Sequence, residues 1–365
     1  MKVLISGGGT GGHVFPAIAI ANALKSKIPD IDILFVGANG KMEMYKVPQA
    51  GYRIVGLPIR GLKRTLSLDH IRWSFLLLFS MMKAAWTVFK FKPDVAVGVG
   101  GYASGPVLRM ASWIGIPILI QEQNSYPGIT NKLLAKSALK ICVAFEGLEK
   151  YFPEKKIMIT GNPVRQDLLI SQDPSEAKRF FQLDPQKTTI CVFGGSLGAR
   201  AINESLISMM DKLSQQNNWQ WLWQYGSGYE SELKEILKKC PNHVKFFPFI
   251  ERMDLAYAAA DIVISRAGAL TLAELMVTGK ASVLIPSPNV AEDHQRKNAQ
   301  YLVDQSAAYM ILEQDVKQEL WPTLERLLSN EALLNEMKIR INELAKPMAA
   351  KSIADEIIKI GTPCS

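Results

Sequence analysis

A chain of 365 residues, 48% hydrophobic and 21% charged, is long enough for two domains and apolar enough to bury their cores, which excludes a disordered or fibrous protein. Four cysteines without C-x-x-C spacing (Cys142, Cys191, Cys240, Cys364) exclude a disulfide framework and read as thiols of a reducing compartment. The net charge of +8 is uneven, with 20 Lys and Arg against 9 Asp and Glu in residues 1–164 and 22 against 25 in the remainder.

The chain enters directly on an apolar strand, KVLISG, so no secretory leader is expected. Residues 4–24, LISGGGTGGHVFPAIAIANAL, read as strand, glycine turn and helix, with Pro16 suited to a first helical turn. Glycine removes the Cβ that would keep a ligand off the backbone, and a helix start offers free N–H groups, so this turn is an expected phosphate site. Gly7, Gly9 and Gly12 also satisfy G-x-G-x-x-G, the dinucleotide fingerprint. The second strand, DILFVGANG, nevertheless ends without the carboxylate that a nicotinamide or flavin ribose requires, which argues against an oxidoreductase.

Residues 68–94, LDHIRWSFLLLFSMMKAAWTVFKFKPD, form an apolar helix whose run Trp73–Met82 is shorter than the ~20 residues a bilayer span needs. Phe75, Phe79, Met82, Trp86 and Phe89 make one stripe, Trp73, Leu76 and Leu77 another, and Lys63, Arg64, Arg72 and Lys83 flank them. Two readings stand: a helix packed between a sheet and its neighbour, or a monotopic patch with aromatics at headgroup depth and basic residues on anionic lipid. The basic excess of the first half favours the second. The same excess would suit a nucleic acid, but no recognition motif or aromatic stretch for one is present.

Further strands follow at DVAVGVG, PILIQEQ, KICVAF and IMITGN, and after Pro163 a second series runs through TICVFGG, QWLWQYG, VKFFPF, DIVISRAG and ASVLIPS to a weaker edge strand, AAYMILE. Continuous apolar strands separated by helices predict parallel sheets covered on both faces. The fold class is therefore α/β: two doubly wound Rossmann-like domains, dividing near GNPVR and facing a cleft that holds the ligand beyond the strands' carboxyl ends. Glycine turns recur at those ends in GVGGYASGP (98–106), GGSLGA (194–199) and SRAGALTLAE (265–274), as if to hold several phosphates and sugars.

Taken in order, GGGTGGHVFPA, GVGGYASGP, QEQN followed by PG, GNPVR, GGSLGA and SRAGALTLAE resemble the MurG family of GT-B glycosyltransferases, over essentially the whole chain. The resemblance implies a peripheral enzyme on the cytoplasmic membrane face. It would transfer N-acetylglucosamine from UDP-GlcNAc, with inversion, to the 4-hydroxyl of the MurNAc-pentapeptide of lipid I, forming lipid II. It implies an acceptor- and membrane-facing domain at 1–164, a UDP-sugar domain at 165–344, and a last helix (345–365) packing back on the first. An anionic membrane surface would be met through residues 63–86.

For the donor, the resemblance implies that Glu274 accepts the ribose hydroxyls, that uracil meets backbone at Ile250, and that Ala269, Leu270, Thr271, Leu272, Ala273 and Gln295 hold the rest. Ser196, the helix start at Ala269 and Arg165 would meet the charge growing on the departing β-phosphate. Asn124 matches a sugar-binding asparagine, and Thr10, Gly11 and Gly12 would approach donor sugar or acceptor pyrophosphate. Tyr102 is an acceptor contact. His13 is the candidate base, since a helix N-terminus disfavours imidazolium and keeps the ring basic near pH 7; the alternative is that it only hydrogen-bonds substrate. The family commonly has histidine where this chain has Gln121, leaving Glu122 as a second candidate. No cofactor or metal is expected, because the sole D-x-D, Asp30-Ile31-Asp32, precedes a strand and the four histidines lack ligand spacing. Other open readings are transfer to a different membrane lipid, a nucleotide-binding oxidoreductase, and a nucleotide-sugar sensor.

Overall fold

Runs of apolar residues bounded by glycine and proline become strands buried on both faces. The computed structural model describes residues 1–61, 69–238 and 240–362, with the side chains of 69–73 among those not described. Lys63, Arg64, the side chains of Arg72 and Trp73, and Cys364 therefore lie outside the described residues. The chain divides into two compact units, Met1–Arg165 with Lys346–Ser365, and Gln166–Ala345.

Among its described residues, unit 1 holds seven parallel strands: β1 (Lys2–Ser6), β2 (Asp32–Ala38), β3 (Arg53–Leu57), β4 (Val95–Gly98), β5 (Ile118–Glu122), β6 (Lys140–Val143) and β7 (Ile157–Ile159). Their order is β3-β2-β1-β4-β5-β6-β7, so the winding reverses between β1 and β4. Its helices are α1 (Gly11–Lys27), α2 (Glu43–Gln49), α3 (Asp69–Phe91), α4 (Ser104–Trp113) and α5 (Ile129–Leu134). Strand side chains alternate between two cores, as a pleat requires. Leu4, Ala96, Ile120 and Ile141 pack with α3, α4 and α5, while Val3, Ile5, Val97, Leu119 and Cys142 pack with α1.

Unit 2 holds six parallel strands: β8 (Thr188–Phe193), β9 (Trp219–Gln224), β10 (Val244–Phe247), β11 (Ile262–Ser265), β12 (Ser282–Leu284) and β13 (Tyr309–Met310). The order β10-β9-β8-β11-β12-β13 repeats the reversal, here between β8 and β11. Its helices are α6 (Pro174–Phe180), α7 (Arg200–Ser208), α8 (Met210–Gln215), α9 (Glu230–Leu237), α10 (Met253–Ala259), α11 (Ala269–Thr278), α12 (His294–Asp304), α13 (Val316–Leu328) and α14 (Glu331–Glu343). Trp221 and Trp223 fill one face of this sheet together with α7, α8 and α13.

The last helix, α15 (Ala349–Gly361), returns to unit 1, where Ile353, Ala354 and Ile357 are buried against α1 in the same core as Val3 and Ile5. Burying each isoleucine is worth about 1.5–3 kcal/mol. Two local readings of the sequence are revised. The helix α1 starts at the glycines, so Pro16 lies in its second turn and leaves the Gly12 carbonyl without the usual N–H donor four residues on. The apolar stretch outruns Trp73–Met82: within α3, Ser74–Phe91 is long and apolar enough, by length and composition, to cross a membrane. One face of it is nonetheless committed to the unit 1 core through Ala84, Val88 and Phe91.

Candidate functional site

In unit 1 the glycine turns after β1 and β4 flank the winding reversal, where open α/β sheets bind ligands. They interlock backbone on backbone. Gly8 N–H donates to the Gly100 carbonyl at 3.3 Å, and a Cβ on Gly101, whose φ is +86°, would overlap the Gly8 carbonyl. The Thr10 carbonyl accepts the N–H groups of His13 and Val14, which leaves the helix-start N–H groups of Gly11 and Gly12 directed outward. Thr10 Oγ1 lies 3.0 Å from His13 Nδ1, and the His13 ring sits against Gly100 with no room there for a Cβ. Tyr102, 55% exposed, lays its ring over the backbone of Gly61.

The turn after β1 already holds an anion of its own. Glu43, 1% exposed at the start of α2, accepts the Gly9 N–H through Oε2 and the Ala38 N–H through Oε1, both at 2.9 Å. Side chains on Gly8 or Gly37 would overlap this carboxylate or its stem. The end of β2 thus lacks an acid for a cofactor ribose, and the first acid beyond it is turned inward onto backbone. Sequence reasoning passed over Glu43; its signal is an acid shortly after a strand end that faces a glycine turn.

Beside these turns, β5 ends in two polar clusters. Gln123 Nε2 donates to the Val99 carbonyl at 2.8 Å and to the Gln121 side chain, Gln121 Nε2 donates to Asn162 Oδ1 at 2.9 Å, and Asn162 Nδ2 donates to the Gln123 carbonyl at 2.9 Å. Glu122 is 2% exposed and accepts from the Asn124 and Gly128 N–H groups and from Asn131 Nδ2 at 2.8–3.0 Å. Burial pushes its carboxyl above the ordinary range while those donors pull it back. Glu122 is therefore the hub of the 122–131 loop. Asn124, partly buried, is held over that hub by its own side-chain amide at 3.3 Å. Arg165, the last residue of the first segment of unit 1, is partly buried. Asp32 of the D-x-D opens β2 and pairs with Arg53 at 2.5 Å.

In unit 2 the turns after β8 and β11 again flank the reversal. Ser196 is exposed in the first turn. Gln224 ties that turn to the segment beyond β10, donating to the Gly195 carbonyl at 2.9 Å and accepting the Ile250 N–H at 2.8 Å. After β11, Gly268 caps α11 in extended backbone, and the first turn presents Ala269, Leu270 and Thr271. Leu272 is fully buried and its N–H bonds to the Gly268 carbonyl, so Leu272 faces the core, and Ala273 is 8% exposed. Glu274 is partly exposed, with Tyr257 Oη donating to its Oε2 at 2.9 Å. Gln295 on α12 accepts the Ser287 N–H at 2.9 Å and so holds the loop after β12. Gln224 and Tyr257, buried polar residues amid apolar runs, were not singled out from sequence.

On the outer face of unit 1, α3 exposes Phe75, Phe79, Met82, Trp86 and Phe89 at 59–70%, beside Lys83 and Lys90. Lys90 Nζ lies 4.8 Å from the Trp86 ring centroid. The reading of this helix as wholly packed between sheet and neighbour does not hold, because one face is core and the other is open.

The profile of the glycosyltransferase family 28 N-terminal domain matches residues 3–143, and that of the family's C-terminal domain matches residues 189–357. The UDP-N-acetylglucosamine–N-acetylmuramyl-(pentapeptide) pyrophosphoryl-undecaprenol N-acetylglucosamine transferase of Flavobacterium psychrophilum is 53% identical, covering 98% of this chain and 97% of its own. The enzyme of the same name from Parabacteroides distasonis is 54% identical, with 98% of each chain covered. The crystal structure of Acinetobacter baumannii MurG superposes with a TM-score of 0.78 at 30% identity, covering 98% of this chain and 99% of that one. The calicheamicin glycosyltransferase CalG4, 13% identical with a TM-score of 0.70, shares the fold alone. The chain belongs to glycosyltransferase family 28.

Proposed function

We propose that this protein transfers N-acetylglucosamine from UDP-GlcNAc to the 4-hydroxyl of N-acetylmuramyl-pentapeptide in lipid I, with inversion, to give lipid II for peptidoglycan synthesis. The observation that carries the reading is identity above 50%, over nearly the full length, to transferases of that name. In the reaction the acceptor oxygen attacks the anomeric carbon, the bond from that carbon to the β-phosphate oxygen breaks, and UDP departs with the electron pair. His13 takes the hydroxyl proton on its imidazole, with Thr10 Oγ1 at 3.0 Å from the other end of the ring fixing its plane.

Unit 2 receives the donor in this reading. Glu274 accepts the ribose hydroxyls, Ile250 meets uracil through its carbonyl, and Gln295 with the 269–273 turn holds diphosphate and sugar. Ser196, the α11 start and Arg165 meet the charge that grows on the leaving phosphate, where preorganised donors act most strongly. Unit 1 receives the acceptor through Tyr102 and the Gly11 and Gly12 N–H groups, and Asn124 meets the transferred sugar. The test is incubation with radiolabelled UDP-GlcNAc with and without a lipid I analogue. Label moving to lipid, with UDP release dependent on the analogue, is expected; UDP-GlcNAc binding without transfer to it would overturn the acceptor assignment.

The protein works, in the same proposal, as a peripheral enzyme on the cytoplasmic membrane face, seated through the open side of α3. Aromatic and basic residues share that side, which suits headgroups of anionic lipid. Phe75→Ser with Phe79→Ser is expected to cut co-sedimentation with anionic liposomes about tenfold while leaving the melting temperature within a few degrees. Unchanged binding by the folded double variant would remove α3 from the membrane contact.

A further inference from the structure

We propose that Glu43 is a positioning residue for the acceptor half of the reaction, acting through the turn that carries Thr10 and His13. Its carboxylate is buried and accepts from two backbone N–H groups, Gly9 and Ala38, each at 2.9 Å. Gly9 immediately precedes Thr10, whose Oγ1 lies 3.0 Å from His13 Nδ1 and whose carbonyl accepts the His13 and Val14 N–H groups. The carboxylate thus pins one side of the turn to the end of β2, while the Gly8 N–H, bonded to the Gly100 carbonyl, pins the other side to the turn after β4. Glycines at 8 and 37 keep its place clear, since a Cβ at either would overlap Glu43. A buried carboxylate that bridges the turn and the end of β2 through two charge-assisted bonds fixes the turn more firmly than a neutral partner would.

Two acceptor oxygens are needed because both partners donate. Glu43→Gln keeps the shape but replaces one acceptor with an NH₂ donor, which faces an N–H and must break one of the two bonds. This inference rests on His13 as the base, so the experiment is a double-mutant cycle with His13→Ala, read as kcat and as KM for UDP-GlcNAc on the full chain. Glu43→Gln is expected to lower kcat at least tenfold with donor KM within twofold, and to cost less than twofold further in the His13→Ala background. A kcat within twofold of wild type overturns the proposal, as does an equal loss in both backgrounds. His13→Ala at wild-type rate instead overturns the base reading, and with it this route through His13. If Glu43→Gln does not fold, Thr10→Val removes the Oγ1 link alone; it is expected to reproduce the kcat loss and its disappearance beside His13→Ala, and full activity would overturn the proposal.

Discussion

Two glutamates stand beside glycine turns, one in each unit, and their surroundings assign them opposite work. Glu43 is 1% exposed and holds two backbone N–H groups; Glu274 is partly exposed and is held from one side by the Tyr257 hydroxyl. The first carboxylate is consumed in shaping its own turn. The second is supported from within the protein and keeps an accessible edge. A glycine-rich turn at a strand end is thus no guarantee of a ligand phosphate: in unit 1 part of the turn's hydrogen-bonding capacity goes to the chain itself. The positive excess of residues 1–164 is not gathered at that turn, and Lys83 and Lys90 of α3 carry part of it elsewhere.

The comparison breaks most severely at Glu274. Glu274→Ala removes two proposed charge-assisted bonds to the ribose, each worth about 1.5–3 kcal/mol, so kcat/KM for UDP-GlcNAc should fall about 100-fold or more. The loss should appear chiefly in donor KM, the reverse of the pattern expected for Glu43→Gln; steady-state kinetics with varied donor checks it. A smaller loss should follow Tyr257→Phe, which leaves the Glu274 carboxylate without its hydroxyl support: about tenfold in donor KM, with kcat at saturating donor near wild type. An unchanged KM would show that Tyr257 packs without orienting.

The opposite ends of the unit 2 strands supply a control. There Lys280 donates to the Ala260 carbonyl at 2.9 Å, and desolvation lowers its pKa to about 8 against a partial opposing pull from Asp261. The unfolded chain therefore binds more protons than the folded one between about pH 8 and the ordinary lysine value near 10.5, and stability gains from this group as pH rises through that window. Urea melts of wild type and Lys280→Met should diverge in favour of wild type by about 3 kcal/mol across it. Donor KM should be the same in both proteins at pH 7.5, since no proposed donor contact lies at that end.

What the sequence disclosed follows from where signals are strong. Central strands such as VLIS and ICVF are buried on both faces and read as unbroken apolar runs, so β1 and β8 and the turns after them were legible. Strand β3 was missed because it lies at the sheet edge: Arg53 is exposed, Gly56 adds no side chain, and the five residues lack an apolar run. Glu274 stood out through its motif, but Tyr257 did not, because a tyrosine in LAYAAADIV carries no mark of the carboxylate it meets across α11. Glu43 was hidden for a related reason. The fingerprint search asks for an acid at the end of the second strand, and an acid slightly farther on, folded back, satisfies none of the spacing. The helix α3 was legible within 68–94, but its apolar stretch was underread because Lys83 interrupts the run Trp73–Met82.

The return of α15 to unit 1 also governs the order in which the newborn chain can take shape. The core that contains Val3 and Ile5 is closed by Ile353 and Ile357, and the whole of unit 2 is synthesised between the two halves of that core. At synthesis rates of about 5–20 residues per second, the first sheet waits on the order of 10–40 seconds with one face covered by α1 but not yet by α15. During that interval α1 and its strands leave open the apolar surface that Ile353, Ala354 and Ile357 later bury. Unit 2, contiguous in sequence, can complete itself before α15 is available to seal the core that β1 began.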